Sequence, residues 1–149
     1  MTAPLIIRPL VPEDKEDWAP LWRAYLEFYE SSVEQEVYDT TFARMCDPDR
    51  KEQCGLIAVQ DGVAVGIVHY IYHPHNWKLE PVCYLQDLYA APEARGTGVG
   101  RKLIEAVYEA ADAAGAPTVY WLTQDFNRTA RLLYDRIGVL TPFIKYNRS

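Results

Sequence analysis

The sequence predicts a mixed α/β domain in which a central, mainly antiparallel sheet is flanked by helices. Three observations carry this expectation. Stretches with the apolar pattern of strands and of amphipathic helices follow one another in the order strand, two helices, three strands, helix, strand, helix, strand. An Asp61-Gly62 pair lies between two strand-like runs, where it supplies the positive backbone angles of a tight antiparallel turn. No internal repeat, low-complexity tract or linker divides the 149 residues, so residues 1–149 are expected to form a single domain.

Taken in order, Leu5-Ile6-Ile7-Arg8-Pro9-Leu10 reads as a first strand closed by Pro9 and Pro12. Asp14 and Glu16 then suit the positive end of a helix whose apolar face is Trp18, Leu21, Trp22, Tyr25, Leu26 and Tyr29. A shorter helix runs through Thr41, Phe42 and Met45 and ends at Asp47-Pro48. The hairpin joins residues 55–60 to residues 63–72, and after a loop bracketed by Pro74 and Pro81 a further strand covers residues 82–90. Leu103, Ile104, Val107, Ala110, Ala111 and Ala114 give the next helix its buried stripe, stopped by Gly115 and Pro117. Residues 118–123 read as a strand, and Asn127 caps a helix carrying Ala130, Leu133, Tyr134 and Ile137 that ends at Gly138. A last strand is expected at Phe143-Ile144-Lys145-Tyr146.

Charge narrows the choice of partner. With 15 Lys+Arg against 21 Asp+Glu, the formal net charge of -6 repels phosphate backbones and anionic lipid surfaces, so neither nucleic acid nor membrane is an expected partner. The same field admits a cationic substrate without selecting one. Cys46, Cys54 and Cys83 fit no metal-binding or disulfide spacing, and His69, His73 and His75 share no ligand spacing, so no metal is expected. The N-terminal residues from Met1 to Arg8 lack a leader pattern and no window is long and apolar enough to span a bilayer, which makes the cytoplasm the expected location.

The sharpest local feature is Arg95-Gly96-Thr97-Gly98-Val99-Gly100, between a predicted strand and the start of an amphipathic helix. Such a junction aims backbone N–H groups and the helix's positive end at one spot, and an anion can approach closely where side chains are missing. By itself the pattern suits either an anion cradle or a structural turn. It is not a Walker loop, because Gly100 is followed by Arg101-Lys102-Leu103 rather than by Lys and a hydroxyl residue. It is not a dinucleotide fingerprint either, since the spacing is GxGxG and the stretch around Val119-Tyr120-Trp121 offers no acidic residue for a ribose.

Arg95, Gly98 and Gly100 match the consensus of motif A of the GNAT N-acetyltransferase superfamily, and the segment from Asn127 to Gly138 resembles motif B, including its Asn, its Tyr and the Gly four residues after Tyr134. The resemblance extends through the element order over nearly the whole chain. Residues 25–33 and 84–89 are similar to the branch that contains polyamine, histone-tail and thialysine acetyltransferases. It implies the GNAT acyl-CoA N-acyltransferase fold and transfer of acetyl from acetyl-CoA, or coenzyme A as its carrier, to a primary amine by direct attack in a ternary complex. A small amine, a polyamine or an amino acid is the favoured acceptor. A protein-lysine acetyltransferase and a non-catalytic acyl-CoA sensor are the alternatives.

The resemblance also assigns residues. Leu88, Tyr89 and Ala90 on the strand, the turn Arg95, Gly96, Thr97, Gly98, Val99, Gly100 and Arg101, and Asn127 and Tyr134 are implied to bind the coenzyme. A backbone N–H around Leu88 or Tyr89 is implied to polarise the acetyl oxygen, and Tyr134 to reprotonate the leaving sulfur as general acid. Its phenol, with an ordinary pKa of about 10 against about 8.5 for a thiol, suits that role. Where the polyamine branch commonly carries a Glu-Asp pair, this chain has Gln86-Asp87, so Asp87 is the remaining carboxylate for deprotonating the amine, and Glu27 and Glu30 are expected to complete an acidic recess for the substrate. One terminal strand where the family often has two leads to the expectation of a homodimer that covers the exposed sheet edge.

Overall fold

In the computed structural model, which describes residues 4–149, five strands lie side by side in chain order: β1 (Ile6–Pro9), β2 (Gln53–Gln60), β3 (Val63–His73), β4 (Val82–Ala90) and β5 (Val119–Tyr120). Met1 to Ala3, which entered the leader argument, lie outside the described residues. The first four strands are antiparallel, and β5 joins β4 in parallel after the crossover helix α3 (Val99–Ala113). The α/β expectation with a mainly antiparallel sheet is borne out.

Helices cover both faces. Helices α1 (Lys15–Phe28) and α2 (Gln35–Cys46) bury Trp18, Trp22, Tyr38 and Phe42 against Ile57 and Ile67 of the sheet. On the opposite face α3 buries Leu103, Ile104, Val107 and Ala111 against Leu56, Val68, Cys83 and Leu85, and α4 (Arg128–Ile137) adds Leu133, Tyr134 and Ile137 to that cluster. Each fully buried aliphatic side chain contributes about 1.5–3 kcal/mol, so the α3 stripe alone anchors the glycine-rich turn that precedes it. Pro20 lies one turn into α1 without ending it.

A change of register in β4 decides which side chains reach which face. His69 of β3 pairs with Asp87 and Tyr70 with Leu85, leaving Gln86 as an extra residue on β4. One inserted residue inverts the alternation. Cys83 and Leu85 face α3 before the bulge and Leu88 faces it afterwards, so Asp87 is turned to the α1 face.

Two expectations need correction. The strand expected at residues 118–123 pairs only over Val119–Tyr120, because the chain then turns the Trp121 ring into α4, 5.5 Å from the Tyr134 ring. The last strand expected at Phe143-Ile144-Lys145-Tyr146 does not form. A strand exists only against a neighbouring edge, and the two-residue β5 offers this segment no ladder within the chain; Phe143 is 82% and Tyr146 86% exposed.

Candidate active site

Where β5 leaves β4, the two faces of the molecule meet. Pairing stops at Tyr84 and Tyr120, so from Leu85 to Ala90 one edge of β4 is open. A recess at this gap is lined by Tyr25 and Tyr29 of α1, Leu85, Gln86 and Leu88 of β4, Ile104 of α3, Trp121 and Leu122 after β5, and Tyr134 of α4. Three phenols and an open strand edge thus converge on one point.

The turn before α3 stands at the end of that open edge. Gly96 and Gly98 hold φ of +80° and +89°, values in the left-handed region that glycine adopts without cost. A Cβ on either would meet nothing within 4 Å, so backbone angle rather than crowding calls for glycine there. Lys102 is the first residue of the helix whose N–H reaches a carbonyl, that of Gly98 at 3.0 Å. Among the described residues, no backbone carbonyl takes up the N–H groups of Gly98, Val99, Gly100 and Arg101. The first turn of α3 carries no acidic side chain to compete for them. Such a set of free donors at the positive end of a fifteen-residue helix suits a diphosphate. Arg95 fastens the turn to the strand: its Nε donates to the Ala90 carbonyl at 3.1 Å and its guanidinium lies 5.4 Å from the Tyr89 ring centre.

Tyr134 stands at the other end of the recess. Burial, and then the neighbouring Tyr29, push its phenol up to about 12, so it stays protonated at neutral pH and can donate a hydrogen bond. Asn127 caps α4 by accepting the Ala130 N–H at 3.4 Å, and its amide lies 3.4 Å from the Thr123 hydroxyl. Burial raises the Tyr29 phenol above its ordinary value, and Thr123 and Asn127 on the segment leading into α4 partly oppose that rise.

Behind Tyr25 lies a buried polar cluster. Asp87 Oδ2 is 2.7 Å from His69 Nδ1 and accepts the Trp22 indole N–H at 3.3 Å, while Trp18 Nε1 donates to His69 Nε2 at 2.9 Å. Tyr25 donates to the Gln86 carbonyl at 3.4 Å, and its phenol feels the charge of the Asp87 carboxylate. Burial, reinforced by Asp87, raises the Tyr25 phenol well above its ordinary value.

The sequence-predicted residues therefore fall into three groups. Leu88 and Tyr134 line the recess, with Tyr89, Ala90 and the turn from Arg95 to Arg101 continuing from it and Asn127 beside it. Asp87 is buried one layer behind, reaching the recess through Tyr25. Glu27 and Glu30 are exposed and do not line it. Sequence reasoning missed Tyr25, Tyr29 and His69 as site residues. A histidine two residues from Ile67 on an apolar strand was the available signal for His69, but the strand pattern cannot say that an aspartate faces it.

Comparison with known proteins agrees with this geometry. Residues 18–139 match the family model described as Acetyltransferase (GNAT) family. The D-amino-acid N-acetyltransferase HPA3 of Saccharomyces cerevisiae is 42% identical over 147 residues, covering 97% of this chain and 91% of that protein. The thialysine N-epsilon-acetyltransferase of Bos taurus is 35% identical over 79 residues, covering 53% of this chain and 46% of that protein. Among solved structures, the aminoglycoside N-acetyltransferase AAC(6')-Iy in complex with CoA superposes with a TM-score of 0.86 at 20% identity, covering 100% of this chain and 96% of that one.

Proposed function

This chain belongs to the acetyltransferase (GNAT) family and is an acetyl-CoA-dependent N-acetyltransferase acting on an amine, and on that premise we propose that its acceptor is the α-amino group of a free amino acid. The observation that carries this reading is the small recess at the parting of β4 and β5, walled by Tyr25, Tyr29 and Tyr134. A polyamine would call for a line of carboxylates along its length, whereas Glu27 and Glu30 stand outside the recess and Asp87 is buried behind it. The extensive similarity to a D-amino-acid N-acetyltransferase supports the same choice over the polyamine branch.

In this mechanism acetyl-CoA supplies the acetyl group as a thioester. The N–H groups of Gly98, Val99, Gly100 and Arg101 bind its diphosphate, with Arg95, Gly96 and Thr97 shaping the turn and Asn127 making a further contact. Along the open edge, Leu88, Tyr89 and Ala90 carry the arm, and an N–H at Leu88 or Tyr89 polarises the acetyl oxygen. The ammonium of the acceptor gives one proton to the Tyr25 hydroxyl as Tyr25 passes its own to Asp87. The freed amine forms the new N–C bond while the C–S bond breaks. Tyr134 gives its proton to the sulfur, and the second proton released from nitrogen restores it.

Residues 1–149 act as one catalytic domain, two copies form a homodimer, and three cysteines, Cys46, Cys54 and Cys83, without a disulfide or metal spacing suit a cytoplasmic enzyme. The functional test is turnover of acetyl-CoA, followed by release of free thiol, with D- and L-amino acids, spermidine and lysine peptides. Amino acids are expected to exceed the other acceptors in kcat/KM by about tenfold or more. A preference for spermidine or for peptides overturns the acceptor assignment.

A further inference from the structure

We propose that His69, which lies outside the recess, is a positioning residue for acetyl transfer: as a neutral Nδ1–H imidazole it holds the Asp87 carboxylate in place behind Tyr25. The inference rests on the proposed route of the amine proton through Tyr25 to Asp87. Both residues are buried, at 4% and 9% exposure, and they are cross-strand partners where the β4 bulge turns Asp87 to the α1 face.

The hydrogen-bond chemistry leaves one arrangement. An indole N–H only donates, so the 2.9 Å contact with Trp18 makes His69 Nε2 the acceptor. The ring proton is then on Nδ1, where it points along a 2.7 Å contact at Asp87 Oδ2. A second proton on the ring would set two N–H donors against each other at Trp18, so this imidazole is a holder of the carboxylate rather than a store for the amine's proton. Trp22 donates to the same oxygen at 3.3 Å. Oδ2 is thereby fixed by two donors from α1 and β3, and the carboxylate is held where its charge acts on the phenol of Tyr25, which lines the recess. The tyrosine hydroxyl rests on the Gln86 carbonyl at 3.4 Å, so it can turn its proton to Asp87 only while the carboxylate is held in place beside it.

Three substitutions separate this role from simple packing. His69→Asn places an amide N–H near the Nδ1 position and keeps the donor to Asp87; His69→Gln reaches only toward Trp18; His69→Leu fills the volume without either bond. For acetylation of an amino acid, the Leu and Gln variants are expected to lose about 10- to 100-fold in kcat, the equivalent of one hydrogen bond to a charged group, while KM for acetyl-CoA changes less than about twofold. The Asn variant is expected to keep kcat within about fivefold of the native chain. Equal activity in all three variants, or equal loss in all three, overturns the proposal. Long-range ¹H–¹⁵N correlation on the native chain gives a readout independent of variant folding: Nδ1 protonated and Nε2 bare is expected, and the Nε2–H tautomer or an imidazolium at neutral pH overturns it. If the native chain acetylates no amino acid, the proposed acceptor fails, while the tautomer measurement still decides how His69 holds Asp87.

Discussion

Tyr134 and Tyr25 face the same recess from opposite layers, yet burial serves them differently. For Tyr134 it keeps the phenol protonated in the range where an amine is partly free, since its folded pKa of about 12 lies above the ordinary value. Its proton is therefore available throughout neutral and mildly alkaline pH and is lost only as pH rises towards about 12. Removing the hydroxyl should leave binding largely intact and slow the chemical step. Steady-state kinetics on Tyr134→Phe are expected to show kcat reduced by about 100-fold with KM for acetyl-CoA nearly unchanged, and no new alkaline limb below pH ~10 should appear in the native profile on account of this residue. Tyr25→Phe should also lower kcat, because a phenyl ring fills the same space without passing a proton to Asp87. Tyr134 was legible from its place in a recognisable motif. Tyr25 was legible only as one aromatic of a helical stripe, because nothing in a 3.6-residue period tells which of six apolar positions lies over a gap in the sheet.

Two elements give the site its shape, the turn into α3 and the junction of β1 with α1. At Gly98 the left-handed φ of +89° makes Ala costly by about 1–2 kcal/mol although no atom obstructs its Cβ. Calorimetry on Gly98→Ala should therefore find weaker acetyl-CoA binding, by about tenfold, together with a lower unfolding free energy. At the other junction, Asp14 accepts from both terminal nitrogens of Arg8 at 2.7 and 2.8 Å and from the Val11 N–H at 2.8 Å. These bonds, Arg8 first, hold its carboxyl below the ordinary carboxylate value. Because the folded pKa is depressed, the stabilisation is complete above about pH 4 and is lost as pH falls through the folded value. Denaturant unfolding of Asp14→Asn should show a loss of about 1–3 kcal/mol at pH 7 that shrinks in acid. Element by element, β3, α3 and the glycine turn could be read from the sequence because their signals are local: an Asp-Gly turn, a helical stripe, two glycines at a strand–helix junction. The length of β5 could not, since it depends on where Trp121 finds Tyr134 and the space beside Gly138, where a Cβ would come within 2.7 Å of the indole. The β4 bulge was equally hidden, because an extra residue shows itself only against its partner strand.

At the scale of the whole molecule, the segment after Gly138 has the composition of a strand and the exposure of a tail. Val139, Leu140, Phe143, Ile144 and Tyr146 are each more than 70% exposed, beside a fifth strand two residues long. In the proposed homodimer this segment is covered by the second copy, so its strand pattern, legible in the sequence, is satisfied between chains rather than within one. Sedimentation equilibrium should give twice the 17.1 kDa chain mass for the full chain and a single-chain mass after removal of residues 139–149. A single-chain mass for the intact protein at high micromolar concentration contradicts the dimer.

Catalysis in this chain is expected to depend above all on the free N–H groups before and within the first turn of α3, because acetyl transfer needs the thioester delivered to the parting of β4 and β5. Isothermal titration of the folded chain with CoA tests this directly, with Gly98→Ala in parallel. One molecule bound per chain, with affinity weakened in the variant, is the predicted result. No detectable binding to the native chain, or binding that the Gly98 substitution leaves unchanged, would contradict it.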